Sequence, residues 1–138
     1  MQRSDPPAAL AGLHVLFVED DPDVREAIAT LMEEEGAHVT ATHAAEPALS
    51  ALAAPGAGFD LLLTDIMLGG RLNGYDVATA ALARHPGLGV VLATGYAAPA
   101  GAMPSVLAHS AMLLVKPFRR GDLLAAVAAA CRDRRVAA

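Results

Sequence analysis

With 138 residues, of which 54% are hydrophobic and 18% charged, the chain suits one globular domain and does not have the composition of a disordered or fibrous protein. Ten basic residues against fifteen acidic ones give a net charge of -5 with no basic block, which argues against direct nucleic-acid binding. The lone cysteine, Cys131, cannot close an internal disulfide, and no apolar run approaches the ~18 residues of a membrane helix, so a soluble cytoplasmic protein is expected.

Residues 1–11 read as a loose Pro- and Ala-rich arm, and residues 12–138 as the folded domain. The apolar stretch from Ala8 to Val18 is not a signal-peptide core, because Asp5-Pro6-Pro7 precede it, His14 interrupts it and acids follow it. His14 to Val18 is a strand that stops at Glu19-Asp20-Asp21-Pro22, where an acid before proline starts a helix. Val24, Ile28, Leu31 and Met32 recur at helical spacing to about Glu35, and Gly36 supplies the stop. Ala37 to Thr42 alternates weakly, as an edge strand would with His38 and Thr40 outward and Val39 and Ala41 inward. Glu46-Pro47 opens a second helix that buries Leu49 and Leu52 and ends before Pro55-Gly56.

Leu61-Leu62-Leu63-Thr64-Asp65 is too short for a globular helix and reads as a buried strand with one carboxylate at its far end. An acid there also suits a helix cap or turn, so Asp65 alone decides nothing. A third helix, Gly74 to His85, turns Val77, Ala78, Ala81 and Leu82 inward and ends at Pro86-Gly87. Val90 to Ala93 is a fourth strand running into Thr94-Gly95-Tyr96. Pro99, Gly101 and Pro104 restrict the fourth helix to a turn or two before His109. Met112 to Val115 is the fifth strand, ended by Lys116-Pro117-Phe118. A last helix from about Arg119 to Arg135 places Leu124, Val127, Ala128 and Cys131 on one face.

Strands alternating with helices call for a parallel sheet covered on both faces. Such sheets bind ligands outside the carboxyl ends of their strands, which gathers Glu19, Asp20, Asp65, Thr94 and Lys116 around one crevice. Nine of the ten basic residues are arginine, and Lys116 is the only lysine. A compact ammonium suits a moving phosphoryl oxygen better than a planar fork does. The five histidines, His14, His38, His43, His85 and His109, show no metal-ligand spacing.

Leu16-Phe17-Val18-Glu19-Asp20-Asp21, Leu63-Thr64-Asp65-Ile66-Met67, Thr94-Gly95 and Lys116-Pro117-Phe118, in that order, resemble the receiver domain of two-component response regulators over residues 12 to 135. The resemblance implies a CheY-like, flavodoxin-like doubly wound α/β fold: a five-stranded parallel sheet of order 2-1-3-4-5 with helices on both faces. It implies Asp65 as phosphoacceptor, Glu19, Asp20, Asp65 and the carbonyl of Met67 as ligands of Mg²⁺ or Mn²⁺, Thr94 as switch hydroxyl and Lys116 as phosphoryl contact. Three facing carboxylates agree with a hard cation between them. Asp21, one place beyond the matched pair, is expected to cap the helix at Pro22.

The implied function is a switch rather than a turnover enzyme. A histidine kinase or histidine phosphotransfer protein would donate the phosphoryl group, and a downstream protein would read the result. The alternatives are an interaction module that is never phosphorylated and a Mg²⁺-dependent aspartyl-phosphate phosphatase. The latter would need a second acid where Met67 stands. The chain departs from the family at Gly69, where proline is usual, at Gly74, nine positions after Asp65, and at Leu113, where an aromatic ring usually follows the switch hydroxyl. The loop lengthened by Gly70-Arg71 is often seen in receivers of hybrid kinases. Met67 and Tyr96 occupy positions that tune dephosphorylation, and neither orients an attacking water, so slow self-hydrolysis is expected.

Overall fold

The computed structural model describes residues 8–95 and 103–131. Along the chain run β1 (His14–Val18), α1 (Pro22–Glu34), β2 (His38–Thr42), α2 (Ala45–Ala53), β3 (Leu61–Asp65), α3 (Gly74–Arg84), β4 (Gly89–Thr94), α4 (Ser105–Ala108), β5 (Ala111–Val115) and α5 (Arg120–Ala130). The five strands form one parallel sheet of order β2-β1-β3-β4-β5. The expected doubly wound fold is therefore the observed one, and its strand order reverses between β1 and β3.

Strand side chains alternate between faces, and this chain uses the alternation to build two cores. Leu16, Val18, Leu62, Val90 and Leu92 pack under α2, α3 and α4 with Leu52, Val77, Ala81 and Leu107. Val15, Phe17, Leu61, Leu63 and Val91 pack on the opposite face with Met32, Leu123 and Val127 of α1 and α5. Because β3 and β4 are covered on both sides, every residue in them is buried. Asp65 follows Leu61 and Leu63 in this alternation, which aims it toward the α1 and α5 side.

Several local expectations need correction. Residues 8–11 are not the end of a loose arm: Leu10 is 2% exposed, and its N–H donates to the carbonyl of Glu35 at 2.8 Å. In β2, Ala41 is exposed rather than inward, because an edge strand is only half covered. Helix α2 buries Ala45, Ala48 and Leu52, while Leu49 is half-buried. Helix α5 is rotated from its expected phase, so that Leu123, Ala126 and Val127 face the core, Leu124 is half-buried and Ala128 is exposed. The helix ends at Ala130, and Arg132, Arg134 and Arg135 lie outside the described residues. Only Leu114 of β5 is buried, since that strand is the second sheet edge. The fourth helix is the single turn that its prolines allow; Tyr96, Pro99 and Gly101 lie outside the described residues. Among the described residues no helix is long and apolar enough to cross a membrane.

Candidate functional site

Two tight turns carry the acids to one point. At the end of β1, Pro22 opens α1 and Asp21 caps it, accepting hydrogen bonds from the N–H groups of Asp23 at 2.9 Å and Val24 at 3.1 Å. Asp21 is thus occupied as a cap, as its position in the sequence suggests. Glu19, 3% exposed, stays on the strand axis, and its Oε2 accepts from the N–H of Asp21 at 3.1 Å. Arg25, from the first turn of α1, donates from Nη1 to the backbone carbonyl of Glu19 at 2.9 Å.

At the end of β3, Asp65 is 8% exposed. Its carbonyl accepts from the Thr64 hydroxyl at 2.9 Å, and the following peptide is tied down by Gly74, whose N–H donates to Ile66 O at 2.8 Å. Gly74 opens α3 behind the capping box of Asn73 and Asp76. A Cβ at position 74 would overlap the carbonyl of Asp65, so a hydrogen atom is needed there. Gly69, at φ +73°, comes over Asp20 in a backbone conformation that a Cβ would strain.

Carboxylate oxygens of Glu19, Asp20 and Asp65 lie within 4.8 Å of one another. The Lys116 ammonium is 2.8 Å from Asp65 Oδ1, 3.0 Å from Asp65 Oδ2 and 3.2 Å from Glu19 Oε1. Burial, followed by the neighbouring Asp65 carboxylate, raises the Glu19 carboxyl above its ordinary value, although the Asp21 N–H and Lys116 oppose the shift. Burial also works against charge on Lys116, but Asp65 and Glu19 outweigh it and hold the ammonium above its usual range. The Lys116 ammonium thus pairs with two members of a group of three carboxylates, and a hard divalent ion with oxygen ligands fits that group. A cavity of about 510 Å³ runs from Asp65 and Lys116 between apolar Phe17, Ile28, Leu63 and Phe118, and this wall limits solvent screening on one side of the pair.

The structure brings Glu19, Asp20, Asp65 and Lys116 together. Thr94 is buried at the end of β4, and its carbonyl accepts from the Lys116 N–H at 2.7 Å. Met67 stands two residues past Asp65 with its side chain 75% exposed. Arg25 is not among the residues that the sequence pattern singles out. Nor does that pattern show why position 74 is glycine, because in both cases the partner is a backbone carbonyl and leaves no mark in the pattern of side chains.

Fold and site together define a flavodoxin-like α/β domain with an aspartate-centred, cation-ready crevice at the switch point of its sheet. Residues 15–128 match the family described as response regulator receiver domain. The chain is 36% identical over 114 residues to the response regulator protein FleR of Pseudomonas aeruginosa, covering 83% of this chain and 24% of that protein. It is 34% identical over 110 residues to the response regulator receiver protein CpdR of Brucella abortus, covering 80% of this chain and 89% of that protein. It therefore spans about a quarter of FleR but most of CpdR. The crystal structure of a response regulator receiver protein from Sinorhizobium medicae superposes with a TM-score of 0.77 at 26% identity, covering 88% of this chain and 96% of that one. The chain belongs to the response regulator receiver family of two-component signal transduction.

Proposed function

We propose that the protein accepts a phosphoryl group on Asp65 from a phosphohistidine of a histidine kinase or histidine phosphotransfer protein and signals the change to a protein partner. The carrying observation is the ammonium of Lys116 within 3.0 Å of both Asp65 oxygens, beside two further carboxylates. A carboxylate is a weak nucleophile, so the site has to hold it in line and offset charge on the incoming group. In the transfer, an Asp65 oxygen forms the bond to phosphorus while the phosphorus–nitrogen bond of the donor breaks, and the electron pair stays on the imidazole. Lys116 would follow the phosphoryl oxygens, and the Thr94 hydroxyl, at the end of the next strand, would donate a hydrogen bond to the modified site.

Glu19, Asp20 and Asp65, with the Met67 carbonyl, would hold Mg²⁺ or Mn²⁺. When bound, the cation supplies charge neutralisation that makes phosphorus more electrophilic. The test is incubation with acetyl phosphate and Mg²⁺. An acid-stable, base-labile adduct is expected on the wild type and none on Asp65→Asn. An unlabelled wild type would overturn the proposal in favour of a module that acts without phosphorylation, and turnover of many phosphate esters would favour a phosphatase.

A further inference from the structure

We propose that Arg25 is a positioning residue for the cation site: its guanidinium fixes the peptide joining Glu19 to Asp20 and so holds both carboxylates where a divalent ion can take them. The inference rests on the reading of Glu19, Asp20 and Asp65 as a cation site.

The peptide in question lies just past the end of the sheet. Ladder pairing of β1 stops at Val18, opposite Thr42 on one side and Thr64 on the other. The N–H of Glu19 still reaches the Thr42 carbonyl at 3.1 Å, but the carbonyl of Glu19 points to Arg25, whose Nη1 donates to it at 2.9 Å. That carbonyl belongs to the plane between Glu19 and Asp20. Rotating the plane swings the Cα–Cβ bond of Asp20, and with it the carboxylate. The surrounding turn is already fixed: Asp21 N–H donates to Glu19 Oε2, and Arg25 N–H donates to the Asp21 carbonyl at 2.8 Å. Arg25 therefore closes a loop from the first turn of α1 back to the end of β1. A charged donor on a carbonyl in a half-buried position is a strong bond of its type.

Position and charge predict opposite signs here. As a positive charge near the carboxylates, Arg25 opposes binding of a cation, so by charge alone its removal would tighten Mg²⁺. As a positioning group its removal weakens Mg²⁺, by about tenfold, the scale on which partners of metal ligands act. The stem-preserving variant Arg25→Met separates the two effects.

Mg²⁺ affinity is to be measured by titration calorimetry on the unphosphorylated protein, with melting temperature recorded alongside. The expected result is a dissociation constant about tenfold weaker in Arg25→Met and an intermediate value in Arg25→Lys, which keeps one donor on a shorter reach. Acetyl-phosphate labelling of Arg25→Met should recover toward the wild-type rate at saturating Mg²⁺. Arg120→Met, which breaks the ion pairs from Arg120 to Glu34 and Glu35, controls for lost stability and should leave the constant unchanged. An unchanged or tighter constant in Arg25→Met overturns the proposal. Should that variant not fold, a constant in Arg25→Lys equal to or tighter than wild type overturns it. Because calorimetry needs no phosphorylation, failure of the wild type to label would sink the proposed function while leaving the Arg25 result readable.

Discussion

The ammonium of Lys116 lies 2.8 Å from one Asp65 oxygen and 3.0 Å from the other, bridging the ends of two strands that do not neighbour each other in the sheet. Lys116 thus pairs with Asp65 and Glu19 directly, and a neutral side chain there leaves those carboxylates facing one another. Lys116→Met should lower the melting temperature in EDTA and recover much of the loss in excess Mg²⁺. Labelling by acetyl phosphate at saturating Mg²⁺ should slow by roughly a hundredfold, the usual scale for removing one preorganised charge partner. A near wild-type rate would show that the ammonium serves stability alone.

The same contacts set the pH response without metal. Burial and Asp65 raise the Glu19 carboxyl above 4.5, so the folded protein holds that proton more tightly than the unfolded chain. Stability from this group is then highest at or below pH 4.5, falls as pH rises through the folded value, and stays lowered beyond it. Lys116 follows the same sign in a higher pH window. Its raised value means that its contribution is fully present below 10.5 and disappears as pH rises through the folded value. Melting curves in EDTA from pH 4.5 toward neutrality should show a decline that is flatter in Glu19→Gln. Excess Mg²⁺, which favours the charged carboxylate, should flatten it in the wild type.

Gly74 gives a steric prediction. A methyl group there would overlap the Asp65 carbonyl and press on Ile66 Cα, so the Asp65 peptide would have to move. Gly74→Ala should cost about 2 kcal/mol or more in chemical denaturation, as overpacked sites do. Labelling of the folded fraction should also slow, because the displaced atoms belong to Asp65 itself. Gly70→Ala meets nothing within 4 Å and should be neutral in both measurements. Equal behaviour of the two variants would mean that helix α3 can retreat without disturbing the site.

These tests fall partly on residues whose roles the sequence displays and partly on residues whose roles it hides. Continuous apolar runs from Val15 to Val18 and from Leu61 to Leu63, too short for helices, declare buried strands, and chemistry-bearing residues at strand ends declare the crevice. The phase of α5 is hidden because Leu123 to Ala130 is apolar almost all round, leaving no polar face to fix its rotation. The docking of Leu10 is hidden because it depends on a hydrogen bond to the far end of α1. Arg25 and Gly74 are hidden because each serves a backbone carbonyl, which every residue possesses.

Under the proposed function, Met67 is expected to bear on how long the phosphorylated state lasts. It follows β3 two residues after Asp65 and is 75% exposed, so its side chain borders solvent close to the proposed phosphorylation site. A thioether neither donates a hydrogen bond nor accepts one strongly, whereas an amide does both and can hold water in line for attack. Met67→Asn should therefore shorten the lifetime of phosphorylated Asp65 by roughly an order of magnitude, read as loss of label after removal of acetyl phosphate. Met67→Leu, matched in size and equally unable to orient water, should leave the lifetime unchanged. If both variants decay like the wild type, water is oriented from elsewhere at the crevice rim and Met67 serves only through its backbone. If both decay faster, the side chain protects by covering the site, and its polarity is irrelevant.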